Sequence, residues 1–222
     1  GKTPVVVKDS PGFVVNRILM PYLREAMHLL EEGHELLVID RAMKHFGMPM
    51  GPFEVVDEVG LDVAKKVAGV LSAAFPGRMQ PAPLLDKLVA AGRLGRKSGL
   101  GFYRHAGRKR IADPSVRALL ALPVRTPGST PGQMTERMVL AMVNEGARCV
   151  EEGIVADAGQ VDVAMIFGAG FPPFHGGVLR YADTLGLANV VSRLRALRAE
   201  KGERFEPCAL LVKKAEAGGS FT

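Results

Sequence analysis

The chain contains 222 residues, 47% of them hydrophobic and 23% charged, and carries a formal charge of +6 at pH 7. This composition excludes a disordered chain, which would contain fewer apolar residues, and a disulfide-stapled one, which would contain more than two cysteines. No apolar run reaches the roughly 20 residues that span a bilayer, so we expect a soluble, cytoplasmic protein without a membrane span. Cys149 and Cys208 lie far apart, without CxxC or Cys/His spacing, which predicts buried thiols and no metal site.

The first nine residues differ from the rest of the chain. They contain a continuous β-branched run, Val5, Val6 and Val7, of the kind found in buried parallel strands. A single strand cannot form a sheet, and the chain has no initiator Met. We therefore expect residues 1–9 to be a short strand left over from a Rossmann-type α/β domain, and the chain to begin within a larger protein.

Helical periodicity begins directly afterwards. Ser10 and Pro11 have the residue types preferred at an N-cap and at the first helical position. Apolar residues then recur at spacings of three and four, which predicts a helix that Pro21 kinks and that ends at about Glu32, before Gly33. The same signals predict further helices over residues 37–46, on either side of residue 60, and over 84–91.

The positive charge is concentrated in one basic stretch, residues 93–110. This stretch contains seven Lys or Arg and no acid, so the rest of the chain carries a formal charge of −1. It admits three interpretations: a solvated surface, a clamp for ligand phosphates, or a docking face for another protein portion. A nucleic-acid partner is not expected, because Phe102 and Tyr103 are its only aromatic residues. Pro and Gly residues then predict a linker over 123–132.

The second half of the chain repeats the first. The matches pair Arg17 with Arg137, Glu25 with Glu145, Glu32 with Glu152, Asp40 with Asp162, Pro52-Phe53 with Pro173-Phe174, and Gly60-Leu61 with Gly186-Leu187, at offsets between 120 and 126 residues. Each copy has a helix face that it cannot bury alone. We therefore expect an all-α fold of two tandem helical modules packed as a pseudo-dimer. The predicted division is residues 1–9, a first module over 10–122, a linker over 123–132 and a second module over 133–222.

Asn16 is the candidate functional residue, because it distinguishes the two copies. The second copy has Glu136 at the equivalent position. Asn16 is expected in the second turn of the first helix, about 90° from the centre of the apolar stripe and so at the border between core and solvent. There its amide can donate to a substrate carbonyl or orient a neighbouring base. The alternative is a local cap or a surface residue without a catalytic role.

An ordered series of motifs resembles a known family. The segments KDSPGFVVNRILMPYLREA, IDRAM, DEVGLD and GRKSGLGFY are similar to the C-terminal helical region of the 3-hydroxyacyl-CoA dehydrogenases. The second-copy segments NEGARCVEEG and FGAGFPPFHGG are similar to the multifunctional form of that family, the α-subunit type of fatty acid oxidation complexes. The resemblance covers essentially the whole chain. Short members of the family carry one module and dimerise through it, so a duplicated module points to the multifunctional form.

The resemblance implies an activity and a division of labour. The activity is the NAD-dependent oxidation of 3-hydroxyacyl-CoA to 3-ketoacyl-CoA in fatty acid β-oxidation. NAD and the catalytic His, Glu and Ser are implied to belong to a Rossmann domain outside this chain, so the chain alone is expected to be inactive. Asn16 matches the Asn of the family's PGFxxNR motif, and is implied to contact the thioester-side oxygen or the base.

The resemblance also implies a ligand for the basic stretch and partners for the chain. An acyl-CoA substrate makes Arg93, Arg96 and Lys97 candidates for contact with the CoA phosphates. The implied partners are the Rossmann and enoyl-CoA hydratase portions of the same protein and a thiolase subunit. The alternative function is a non-catalytic helical assembly module.

Overall fold

The computed structural model describes residues 4–79, 83–107, 109–123 and 128–222. Within them the chain forms eleven α-helices and one two-stranded sheet. The first half contains α1 (Val15–Glu31), α2 (Leu36–Phe46), α3 (Pro52–Val59), α4 (Leu61–Ala74), α5 (Pro83–Ala90), β1 (Tyr103–Ala106), β2 (Lys109–Ala112) and α6 (Ser115–Leu119). The second half contains α7 (Pro131–Glu151), α8 (Ala158–Ala169), α9 (Val178–Leu185), α10 (Leu187–Lys201) and α11 (Ala209–Glu216).

Helices α1 to α5 and α7 to α11 are the two copies of the repeated module. The first helices of the copies, α1 and α7, pack along each other at the centre of the molecule. One core of buried apolar residues runs through both modules. These observations confirm the predicted all-α fold and the duplicated module. In the part of the chain that the structure describes, no helix is long and apolar enough to cross a bilayer.

Reciprocal ion pairs join the modules. Arg17 of α1 is fully buried, and its guanidinium donates to Glu145 (2.7 Å) and Glu152 (2.7 Å) of the second module. Its counterpart Arg137 of α7 is also buried and donates to Glu25 of the first module (2.6 Å). Because each pair takes its arginine from one copy and its glutamate from the other, the modules are related by a pseudo-two-fold axis. This is the predicted pseudo-dimer.

Buried aspartates fix the start of the third helix in each module. Asp40 Oδ1 accepts a hydrogen bond from the Phe53 N–H at the start of α3 (2.9 Å). Asp162 Oδ1 accepts one from the Leu179 N–H at the start of α9 (2.7 Å). Phe53 is therefore the structural counterpart of Leu179, at an offset of 126 residues. The predicted pairing of Phe53 with Phe174 is wrong.

A glycine in front of each of these helices makes room for the aspartate. A Cβ on Gly51 would lie 2.3 Å from Asp40 Cβ, and a Cβ on Gly177 would lie 2.2 Å from Asp162 Cβ. Any other residue at either position would clash with the buried carboxyl group. In the first module a loop leads from Gly47, the C-cap of α2, to Gly51. The equivalent loop of the second module, from Gly170 to Gly177, is three residues longer. The inserted residues explain why the sequence pairing slipped here.

The first helix begins later than the sequence predicts. α1 starts at Val15, and Ser10 is not its N-cap. Gly12 and Phe13 have φ angles of +77° and +50°, in the left-handed region that a right-handed helix does not use. The Phe13 N–H donates to the Ser10 carbonyl (2.8 Å), which closes a tight turn before the helix. Asn16 consequently lies in the first turn of α1, not in the second.

Residues 4–9 form neither helix nor strand, so the predicted leftover strand is not formed in this chain. Instead, the Lys8 N–H donates to the Ile154 carbonyl of the second module (2.8 Å). Val5 and Val7 pack against the core, whereas Val6 is exposed. The backbone groups of a strand need a neighbouring strand, and none lies beside this segment in the described part of the chain.

The basic stretch contains secondary structure that the sequence did not predict. Strands β1 and β2 form an antiparallel hairpin in which Tyr103 pairs with Ala112, and α6 follows. Most of the hairpin is exposed, so it lacks the apolar alternation that identifies a half-buried strand. Arg108 of this stretch, residues 124–127 of the predicted linker and residues 1–3 of the predicted strand lie outside the described residues.

Candidate functional site

Asn16 lies at the exposed start of α1. The next two residues, Arg17 and Ile18, are fully buried, whereas Asn16 is exposed. Val15 packs against α8 of the second module: a Cβ on Gly168 would lie only 2.7 Å from Val15 Cγ2. The second module therefore supports the helical turn that carries Asn16, and the amide stays accessible.

A groove of about 690 Å³ lies at the equivalent end of the second module. It is lined by residues of α2, α7, α9 and α10, among them His45, Glu136, Leu185 and Arg193. Glu136 and Arg193 form an ion pair across it (3.4 Å). His45 belongs to the first module and the other three residues to the second, so both modules build this groove.

The pseudo-two-fold axis relates this groove to the surface around Asn16. The helix offsets of 120, 122 and 126 residues place Asn16 at the position of Glu136, Phe167 at that of His45, Val59 at that of Leu185, and Val67 at that of Arg193. We call Asn16, Val59, Val67 and Phe167 the Asn16 face. Phe167 is 71% exposed, and Val59 is also exposed. At these four positions the Asn16 face has one amide and three apolar side chains, whereas the groove has Glu136, His45, Leu185 and Arg193.

Arg93 is a buried structural residue in this fold. Its Nε donates to the Gly101 carbonyl (2.7 Å), and its Nη2 forms an ion pair with Asp113 (2.8 Å). The Arg93 guanidinium beside Asp113 lowers the pKa of that carboxyl to about 2. Because the N–H groups of Arg93 are used within the fold, its position favours a structural role over contact with CoA.

Arg96 and Lys97 are exposed and lie together at the junction of α3 and α4. Arg96 Nη1 pairs with Glu58 (2.9 Å), and Lys97 Nζ pairs with Asp62. These two acids flank Val59, which belongs to the Asn16 face. The structure therefore brings two of the three predicted CoA-binding residues to one edge of that face. It also shows that acids from outside the basic stretch offset much of its charge.

The buried Asp57 joins two of the sequence motifs, DEVGLD and GRKSGLGFY. The Asp57 carboxylate accepts the backbone N–H groups of Phe102 (2.7 Å) and Tyr103 (2.9 Å) and lies 2.7 Å from His105 Nε2. Burial raises the pKa of Asp57, and these hydrogen bonds oppose the shift. Asp183 of the second module accepts two consecutive backbone N–H groups in the same way. The sequence repeat did not reveal this equivalence, although Asp57 and Asp183 are 126 residues apart, which is the offset of the surrounding helices.

Asp40 has a strongly perturbed carboxyl group in the interior of the first module. Burial raises the pKa of Asp40 to about 7, although the Tyr103 hydroxyl donates to its Oδ2 (2.5 Å) and the Phe53 N–H to its Oδ1. Burial likewise raises the pKa of its counterpart Asp162 to about 6. Both carboxyl groups are enclosed by their own module and bonded to its backbone. We interpret them as structural, not catalytic.

Both cysteines are free and buried, as predicted. Burial raises the pKa of the Cys149 thiol to about 12 and that of the Cys208 thiol to about 11. Thiols with such pKa values are poor nucleophiles. Among the described residues, no group of three or more His, Cys, Asp or Glu side chains is arranged to hold a metal ion.

The fold and the site together define a class of helical domain. Its module is built to pack on a second copy of itself, and an accessible amide, that of Asn16, shares a surface with exposed apolar side chains. The chain belongs to the family of 3-hydroxyacyl-CoA dehydrogenase C-terminal domains, since the family model matches residues 12–105 and, a second time, residues 132–220.

Named relatives agree with this assignment. The chain is 45% identical over 225 residues to the fatty acid oxidation complex subunit alpha of Shewanella loihica, and 46% identical over 224 residues to that of Shewanella amazonensis. Each alignment covers all of this chain but only 31% and 32% of the relative. The chain thus spans about a third of the length of these relatives.

Two solved structures share the fold. The 3-hydroxybutyryl-CoA dehydrogenase of Escherichia coli K12 superposes with a TM-score of 0.82 at 26% identity, over 98% of this chain and 62% of that one. The dehydrogenase part of multifunctional enzyme 1 from C. elegans superposes with a TM-score of 0.73 at 28% identity, over 96% of this chain and 50% of that one.

Proposed function

We propose that this chain is the substrate-side domain of an NAD-dependent 3-hydroxyacyl-CoA dehydrogenase that acts in fatty acid β-oxidation as part of a multifunctional protein. The observation that carries the proposal is the family match in both modules, together with the accessible Asn16 amide on an apolar face. A 3-hydroxyacyl-CoA has the complementary chemistry, because its polar reacting atoms are attached to an apolar tail.

NAD is proposed to be bound outside this chain. The sequence contains no GxGxxG dinucleotide fingerprint. The sheet in the described residues is a two-stranded antiparallel hairpin, which offers no strand–turn–helix site for a pyrophosphate. The residues present therefore do not fit NAD. A Rossmann portion and an enoyl-CoA hydratase portion of a longer protein, a thiolase subunit as partner and a cytoplasmic location complete the proposal.

Asn16 is proposed to bind and orient the substrate. Its side-chain amide can donate a hydrogen bond to the thioester-side oxygen, or hold a base supplied by another domain. The apolar neighbours strengthen such a bond, because they exclude water once the face is covered. Arg96 and Lys97 are proposed to contact the CoA phosphates, since they lie at the edge of the same face. Arg93 is not included, because its guanidinium is engaged inside the fold.

The test compares Asn16→Ala with Glu136→Ala in the full-length gene product. Reduction of NAD by a 3-hydroxyacyl-CoA is followed spectrophotometrically. Loss of an oriented donor at a reacting centre costs about 2.7–4 kcal/mol in comparable sites, so Asn16→Ala should lower kcat about 100- to 1,000-fold. Glu136→Ala changes the equivalent position in the other module and should leave kcat unchanged.

Two results would contradict the proposal. Wild-type turnover by Asn16→Ala would make Asn16 a surface residue. A full-length wild-type protein that forms no NADH would leave the non-catalytic assembly module as the function. The 222-residue chain by itself is expected to form no NADH, because its residues do not fit the cofactor.

A further inference from the structure

Residues of both modules form the Asn16 face. In the groove of the second module, His45 of one copy and Glu136 of the other line the same space. The pseudo-two-fold axis maps His45 onto Phe167 and Glu136 onto Asn16. Phe167 should therefore lie across the same surface as Asn16, although 151 residues separate them.

Direct contacts support this placement. The glycine that follows Phe167 along α8 abuts Val15, the residue before Asn16. The counterpart contact joins the same elements of the other copies, since the Thr135 hydroxyl donates to the Ala42 carbonyl (3.4 Å). Residues 15 and 135 are equivalent, and so are residues 42 and 164. The start of each first helix thus rests on the second helix of the opposite module.

The side chains of the Asn16 face are less polar than their counterparts in the groove of the second module. His45, Glu136 and Arg193 on one surface are replaced by Phe167, Asn16 and Val67 on the other. Phe167 leaves 71% of its surface in water, which is unfavourable for a phenyl ring unless something apolar covers it. The Asn16 amide beside these apolar groups matches a ligand with a polar end and a hydrocarbon tail.

We infer that the second module completes the substrate site of the first, with Phe167 as a specificity-determining residue that packs against the acyl chain of the 3-hydroxyacyl-CoA. This inference rests on the proposed function. It gives the pairing of the modules a purpose, because one module without a second copy beside it would hold Asn16 without the wall on which the acyl chain rests. The occupant is the hydrocarbon tail, so the contribution of Phe167 should grow with chain length.

The experiment measures kcat/KM of the full-length protein for 3-hydroxyacyl-CoA substrates of 4, 10 and 16 carbons. Because each tail methylene buried against a wall contributes favourably, Phe167→Ala should lower kcat/KM for the two long substrates about tenfold and for the four-carbon substrate less than about twofold. Phe167→Leu keeps an apolar wall and should retain most of the wild-type value. His45→Ala, the matched change on the other surface, should leave the chain-length profile unchanged.

Other outcomes overturn the inference separately from the proposed function. If the wild type oxidises the four-carbon substrate and Phe167→Ala leaves the profile unchanged, Phe167 does not touch the tail. If Phe167→Ala lowers kcat/KM equally for all lengths and also lowers the Tm, another part of the protein covers the face. A wild type without any dehydrogenase activity would remove the proposed function itself.

Discussion

The two modules have matching interiors and different accessible surfaces. Inside, Arg17 of one copy and Arg137 of the other reach across the pseudo-two-fold axis to glutamates of the opposite copy. Asp40 and Asp162 hold the third helix of each copy in the same way. At the accessible ends, by contrast, an apolar surface around an amide in one copy corresponds to a groove with ionisable side chains in the other.

The difference shows which parts of the module the fold requires and which it leaves free to change. A buried ion pair between copies constrains both copies, because a change on either side leaves a charge unpaired. The exposed end of α1 has no such constraint, so Asn16 and Glu136 can occupy equivalent positions without altering the packing. A residue that differs between the copies at an exposed position is therefore a better candidate for function than a residue that both share.

Removal of either central arginine should have the largest effect on stability. Arg17→Met leaves Glu145 and Glu152 without this partner at the module interface, and Arg137→Met does the same to Glu25. Breaking a buried ion pair costs about 3–5 kcal/mol, so each variant should lose that much free energy of unfolding. Urea unfolding followed by circular dichroism measures the loss.

A sharper test is whether Arg17→Met and Arg137→Met lose the same free energy of unfolding. The exposed Arg198, which pairs with Glu203 on the surface, provides the control, and Arg198→Met should unfold like the wild type. If only one of the two central variants were destabilised, the reciprocal ion pairs would not be equivalent and the modules would not share their interior.

The buried aspartates should make stability depend on pH. The pKa of Asp40 is about 7 in the folded chain, whereas an aspartate that is not buried has a pKa of 3.8. The folded state therefore binds a proton more tightly than the unfolded state. Stability from this group is fully present below pH 4 and is lost as the pH rises towards 7. Three pKa units correspond to about 4 kcal/mol, which sets the upper limit of the effect.

Asp40→Asn should remove this dependence. An amide can still accept from the Phe53 N–H through its oxygen and donate to the Tyr103 hydroxyl oxygen through its nitrogen. The variant should therefore match the wild type near pH 4 and exceed its free energy of unfolding at pH 8. Asp162→Asn should act in the same direction but less, because the pKa of Asp162 is about 6. A variant less stable than the wild type at pH 8 would show that the aspartate is ionised and stabilising.

Sequence periodicity and repetition predict most of the helical body. The end of α1, the whole of α2 with its C-cap glycine, and the duplication follow from local signals and from offsets along the chain. Errors arise where backbone conformation departs from the preferences of residue types. Ser10 and Pro11 are typical of a helix start, but the left-handed φ angles of Gly12 and Phe13 form a turn there. Such angles leave no trace in hydrophobic periodicity.

The candidate site is predictable only in part. Asn16 follows from the comparison of the copies, but Phe167 belongs to a helix with no local feature that points to Asn16. We infer their proximity from the pseudo-two-fold symmetry of the folded modules. The acids opposite Arg96 and Lys97 show the same limit, because Glu58 and Asp62 precede them by 38 and 35 residues. Charge counted along the sequence therefore overstates the positive potential at the surface.

The smallest expected effect concerns the CoA proposal for this edge of the first module. The double variant Arg96→Ala/Lys97→Ala should raise the KM for 3-hydroxyacyl-CoA about two- to fivefold in the full-length protein, with kcat unchanged, because exposed ionic contacts are weak. The rise should shrink as salt is added, since salt screens exposed charges. Arg198→Ala, which removes a similarly exposed cation from the second module, should leave KM unchanged. If the double variant had the KM of the wild type at low salt, Arg96 and Lys97 would belong to a solvated surface. This edge of the first module would then have no role in binding phosphate.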